Sequence, residues 1–153
     1  ALLDNCEVIP NYAFIAAVLK KIGNDVKLIS PDGGALKKIY KVSEYLGGID
    51  VVECSKSRDV KTGKLSGFKV YDEDLQGMDC LIVDDICDGG GTFIGLAEEL
   101  KNKNAGKLYL AVSHGIFNKG FEVLKTRKEE FKKFPVWEER LQNFLKENNL
   151  KLE

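Results

Sequence analysis

The chain is poor in the residues that carry much of enzyme chemistry. It has one histidine, one methionine and one tryptophan among 153 residues. With His114 alone, neither a His-based metal cluster nor a relay between two histidines can be built. No apolar stretch approaches the ~18–20 residues of a membrane helix, and no secretory leader is recognisable. Neither charge is in excess, with 23 Lys and Arg against 24 Asp and Glu, so the molecule lacks the basic footprint of a nucleic-acid binder. The four cysteines, Cys6, Cys54, Cys80 and Cys87, include no C-x-x-C pair. That usage fits reduced thiols in a cytoplasmic protein rather than a disulfide framework. Neither a Walker A loop nor a G-x-G-x-x-G fingerprint occurs, which removes support for the usual nucleotide folds. There is no internal repeat and no low-complexity segment. The opening Ala1-Leu2-Leu3-Asp4 reads as mid-sequence, so a fragment or processed chain is expected.

What is present is an ordinary globular composition, 44% hydrophobic and 31% charged, in a length that suits one domain with a real core. Apolar Phe14, Ile15, Val18, Leu19 and Ile22 form one helical stripe over residues 12–22, with Asn11 as N-cap and Gly23 as stop. Residues 26–30 read as a strand. Residues 35–46 read as a helix with Leu36, Ile39, Tyr40 and Leu46 inward, and 49–53 as the next strand. Between 54 and 79 the pattern is basic and Gly-interrupted, with Phe68 to Tyr71 as a short strand; this reads as a ribbon or mobile lid. Residues 80–84 are a central strand. Residues 93–102 are a helix burying Phe93, Leu96, Ala97 and Leu100, and 108–112 are another strand. Strands alternating with helices predict an open parallel α/β sheet flanked by helices on both faces. No apolar strand is recognisable after Val112. Residues 118–153 read as a helical extension of unclear role, including an amphipathic helix over 136–148 anchored by Trp137.

The chemistry concentrates in Val83-Asp84-Asp85-Ile86-Cys87-Asp88-Gly89-Gly90-Gly91-Thr92. A buried strand ends in carboxylates and passes through three glycines into a helix. Such a loop can turn backbone N–H groups toward a phosphate, and the helix dipole favours the negative charge. The adjacent acids can accept hydrogen bonds from ribose hydroxyls or bind a divalent metal. Ser30-Pro31-Asp32-Gly33-Gly34 and Ser113-His114-Gly115 follow two other predicted strands. In an open parallel sheet those strand ends share the ligand-binding edge.

The motif from Val83 to Thr92 resembles the 5-phosphoribosyl 1-diphosphate (PRPP) motif of type I phosphoribosyltransferase folds. Within that superfamily, three further elements are similar to the C-terminal half of ribose-phosphate pyrophosphokinases (PRPP synthetases). They are Ile29 to Gly34, the basic Ser55-Lys56-Ser57-Arg58, and Ser113 to Phe117. The resemblance implies that Asp88, Gly89, Gly90, Gly91 and Thr92 cradle the phosphate of ribose 5-phosphate, and that Asp84 and Asp85 hold its ribose hydroxyls. It implies Mg²⁺ at Asp32, diphosphate against Gly33 and Gly34, and catalytic roles for Lys56 and Arg58 over ATP phosphates. The implied reaction places the anomeric hydroxyl on the β-phosphorus of ATP. An oligomer is also expected, with residues 1–153 forming one domain from the C-terminal half of a longer protein. Departures from the family pattern are Gly89 in place of a threonine, and Lys37-Lys38 in place of an Arg-containing segment. The family's last strand is not recognisable and its ATP-binding N-terminal half is missing. The rival readings are a stand-alone phosphoribosyltransferase consuming PRPP and a non-catalytic PRPP-binding subunit.

Overall fold

The computed structural model describes residues 11–58, 65–118 and 131–132, and of 58, 65, 66, 131 and 132 the backbone alone. The helix expected over 136–148, Trp137, Cys6, Lys61 and Lys64 lie outside the described residues. The elements are α1 (Asn11–Ile22), β1 (Val26–Ser30), α2 (Leu36–Tyr45), β2 (Val51–Arg58), β3 (Leu65–Val70), β4 (Asp79–Cys87), α3 (Gly91–Asn102), β5 (Leu108–Gly115) and β6 (Phe131–Lys132). They build a six-stranded sheet in the order β3-β2-β1-β4-β5-β6.

Each strand is placed by what it buries. β1 and β4 are central, and Leu28, Ile29, Leu81 and Ile82 are fully buried because both sheet faces are covered. On one face α1 and α2 bring Ile15, Val18, Leu19, Ile39 and Val42 against Leu28, Leu81 and Val83. On the other, α3 brings Phe93, Leu96, Ala97 and Leu100 against Ile29, Val52 and Ile82. The apolar stripe expected for α3 is therefore the buried one. In α2 the inward set differs: Val42 is buried, while Tyr40 is 49% exposed and donates to Glu53 Oε1 at 2.9 Å. The phenol reaches past the helix to a polar partner instead of entering the core.

Two expectations change, and of the two readings of the basic stretch the ribbon is the one found. The sheet is not wholly parallel, because β3 runs antiparallel to β2 along the edge. The basic stretch is thus a two-stranded ribbon, and β2 continues from Val51 through Lys56 to Arg58. A strand also follows Val112 after all: the backbone of Phe131 and Lys132 pairs in parallel with Leu108 and Tyr109. The described part of this strand is Phe131 and Lys132, inside the stretch expected to be a helical extension of unclear role.

β4 and β5 run three residues further than hydrophobicity marks. Their ladder carries on through Asp84–Val112, Ile86–His114 and Cys87–Gly115. Backbone pairing does not need apolar side chains, so the acids Asp84 and Asp85 sit inside β4 near its end. Buried Cys87 closes the strand, its carbonyl accepting from Ile116 N–H at 2.9 Å.

Candidate active site

Strand order sets the location. The chain moves outward from β1 to β2 on one side and from β4 to β5 on the other, so the direction of winding reverses between β1 and β4. In open α/β sheets the crevice at such a switch point lies outside the strand C-termini. A cleft of about 250 Å³ lies at this point, lined by Asp32, Gly34 and Ala35 after β1, Lys38 and Ile39 of α2, Val83, Asp84 and Asp85 of β4, and Asn11.

The turn after β1 is held by its own polar groups. Buried Ser30 donates its hydroxyl to the Asp32 carbonyl at 2.9 Å, and Asp32 Oδ1 accepts from Ala35 N–H at 3.0 Å. That bond fixes the Asp32 carboxylate ahead of the α2 N-terminus, where a negative charge is favoured. Gly34 packs close: a Cβ there would lie 3.2 Å from Asp32 Oδ1. The other carboxylate oxygen, Oδ2, meets the ammonium of Lys56, which reaches in from the ribbon. Burial pushes the Asp32 pKa up, but Lys56 and the Ala35 and Gly34 N–H groups outweigh it, and the net shift is downward.

Asp84 and Asp85 are neighbours in a pleated strand, so they leave the sheet on opposite faces. Asp85 shares its face with Val83 and pairs with Lys38 of α2. Asp84 shares its face with Ile82, on the α3 side, near enough to Asp32 and Lys56 to feel both charges. Burial, followed by the charges of Asp32 and Asp85, holds the Asp84 carboxyl above the usual carboxylate value. The Asp85 N–H, which donates to Asp84 Oδ1 at 2.8 Å, opposes that shift. Asp85 in turn raises the pKa of Lys38.

Beyond Cys87 the chain runs as a glycine ledge into α3. Asp88 is exposed, and Gly90 takes φ 75° as N-cap of α3. That left-handed turn favours glycine, and the Gly90 carbonyl accepts from the Phe93 and Ile94 N–H groups at 3.1 Å as α3 begins.

A family model described as "Phosphoribosyl transferase domain" matches residues 2–144. The chain belongs to that family. It is 35% identical over 98 residues to the ribose-phosphate pyrophosphokinase of Mycoplasmopsis pulmonis (strain UAB CTIP), a match covering 64% of this chain and 30% of that one. Among solved structures it is similar to phosphoribosylpyrophosphate synthetase from Mycobacterium smegmatis, with a TM-score of 0.54, 25% identity, and 69% of this chain and 32% of that chain covered. The fold is shared with adenine phosphoribosyltransferase from Saccharomyces cerevisiae, at a TM-score of 0.58 and 17% identity over 73% of this chain and 72% of that one. This is a phosphoribosyltransferase domain similar to those of PRPP synthetases, and it spans about a third of the length of the pyrophosphokinases it matches.

Within the domain, Asp32, Gly34, Asp84 and Asp85 line one cleft, and Lys56 reaches Asp32 from the ribbon. Asp88, Gly89, Gly90, Gly91 and Thr92, which lead from β4 into α3, are not among the residues that line this cleft. Gly33 is exposed at the turn. The Arg58 backbone pairs with Leu65 in the ribbon. His114, opposite Ile86, is exposed at the end of β5.

Two cleft residues escaped sequence reasoning. Lys38, marked in the sequence only as a departure from the family pattern, lies in the first turn of α2, and the fold pairs it with Asp85, 47 positions away. Asn11, expected only as a cap, lies in α1 and lines the cleft, its Oδ1 buried with no hydrogen-bond partner among the described residues.

Among the described residues, no three His, Cys, Asp or Glu side chains gather to hold a metal ion by themselves. Asp32 and Asp84 are nevertheless hard oxygen donors close enough to interact. Magnesium is commonly held by one or two carboxylates plus substrate phosphate and water. The donor set fits an ion that arrives with a phosphorylated ligand.

Proposed function

We propose that this domain binds ribose 5-phosphate and PRPP, and that within a complete enzyme it serves ribose-phosphate diphosphokinase chemistry. The observation that carries the reading is the juxtaposition at the switch point. Paired acids on β4 stand beside a glycine ledge at a helix N-terminus, with a lysine reaching across from the ribbon.

The residues divide the ligand between them. The 5-phosphate would rest on Asp88 to Thr92, where the N–H groups of α3 and the Thr92 hydroxyl donate. The ribose hydroxyls would donate to Asp84 and Asp85. Diphosphate would lie along Gly33 and Gly34. Asp32, with Asp84 beside it, would hold Mg²⁺, which supplies neutralising charge to the phosphates when bound. Lys56 and Arg58 would neutralise the charge developing on the transferring group. In the proposed reaction the anomeric oxygen forms a bond to the ATP β-phosphorus, and the bond from that phosphorus to the bridging oxygen of AMP breaks. AMP leaves with the bridging oxygen, and the anomeric proton passes to solvent. Positioning and electrostatics supply most of the catalysis in such transfers.

The chain spans about a third of its relatives' length, so ligand binding is the property to test first. Titration calorimetry with ribose 5-phosphate should show binding by the wild type and at least tenfold weaker binding by Asp85→Asn, about the loss of one charge-assisted contact. Equal binding by both, or none by either, overturns the reading. Incubation with ATP and ribose 5-phosphate should yield little PRPP from this chain alone.

A further inference from the structure

We propose that Phe68 and Gly95 form a seat that positions Lys56 over the site. The inference rests on the reading of Lys56 as a phosphate-neutralising residue. Lys56 and Phe68 are direct partners in the β2–β3 ladder. Opposed residues of an antiparallel pair project from the same face, so the ammonium and the ring leave the ribbon side by side.

They reach in different directions. Lys56 crosses to Asp32 at the end of β1. Phe68 packs onto the core cluster of α3, and its ring lies against Gly95. A Cβ built on Gly95 would collide with Phe68 Cε2 and stand 2.8 Å from Cδ2 and 3.3 Å from Cζ. The ring fills the place a side chain would take. Glycine inside a helix is destabilising relative to alanine, and here the missing Cβ is what admits the ring.

Gly95 lies one turn beyond Gly91, so the seat is on the same helix whose first turn forms the phosphate ledge. The ribbon is therefore docked at two points, its ring on α3 and its ammonium on Asp32. Phe68 and Gly95 touch no proposed ligand and act through Lys56, so they are positioning residues. Displacing the ring moves the strand pair that carries the lysine.

The experiment compares the full chain with Lys56→Met, Gly95→Ala and the double variant. Binding of magnesium pyrophosphate and of ribose 5-phosphate is measured by calorimetry. Lys56→Met is expected to weaken pyrophosphate binding about tenfold, as for one charge-assisted contact. Gly95→Ala should weaken it by a similar factor while leaving ribose 5-phosphate affinity within about twofold of wild type. The double variant should bind pyrophosphate no worse than Lys56→Met, because residues acting through one another are not additive. If Gly95→Ala does not fold, Phe68→Leu takes its place under the same criteria. Wild-type pyrophosphate binding by the seat variant overturns the seat and leaves the proposed function standing. Additive losses, or an equal loss of ribose 5-phosphate binding, also overturn it. An unchanged Lys56→Met overturns both the seat and the role of Lys56.

Discussion

Asp84 and Asp85 are the same residue type side by side, yet the fold gives them different electrostatic lives. Asp85 has a lysine partner, whereas Asp84 is half-buried among like charges, which raises its pKa. The folded state then holds the Asp84 proton more tightly than the unfolded chain does. Stability is lost as pH rises from about 4 through the raised value, and stays lower above it. Asp84→Asn keeps an acceptor for the Asp85 N–H and removes the charge. It should melt higher than wild type at pH 7, with the gap closing below about pH 4 in thermal scans. A gap that does not change with pH would sink the argument. Asp32 has the opposite sign: its lowered pKa adds stability above the unfolded value and loses it as pH falls through the folded one. Asp32→Asn should therefore melt lower than wild type at pH 7. At this scale the acids and glycines were legible because their types cluster in the sequence. Lys38 was not, because its partner is defined only by how α2 packs beside β4.

Among the elements, α3 was the most legible. Its inward set of Phe93, Leu96, Ala97 and Leu100 follows helical periodicity, and all four are buried. Leu96 is fully enclosed, so Leu96→Ala should cost roughly 2–5 kcal/mol in urea unfolding. The glycines at its start should separate cleanly. Gly90 is left-handed, so Gly90→Ala should cost about 1–2 kcal/mol. Gly91 is already helical with open space where a Cβ would stand, so Gly91→Ala should be neutral or slightly stabilising. Equal effects at the two positions would contradict this account of the ledge. Strand ends were less legible than helices, because β2, β4 and β5 continue through polar residues by backbone pairing with a neighbour. Their length is a property of two strands, and a single segment does not display it.

At the scale of the molecule, the sheet order brings β1 and β4 together and so joins acids more than 50 positions apart in one cleft. A ligand held there binds only the folded state. Ribose 5-phosphate at about a hundred times its dissociation constant should add about 2.7 kcal/mol of stability. For a chain of this size that is a rise of several degrees in melting temperature. Asp85→Asn at the same ligand concentration should show a much smaller rise, and an equal rise would place the ligand elsewhere. Among the described residues, no helix is long and apolar enough to cross a membrane.

The alternation of elements, the inward face of α3, the glycine turn ahead of it and the identity of the acids can be read from the chain alone. These follow from local periodicity and from residue types with few conformational alternatives. Folding was needed to set β3 antiparallel, to send Asp84 and Asp85 to opposite faces, and to bring Lys38 and Lys56 to the carboxylates. It also decided that Phe68 sits where Gly95 lacks a side chain. Each of these is a pairing between distant segments, set by strand register and by which faces must be buried together.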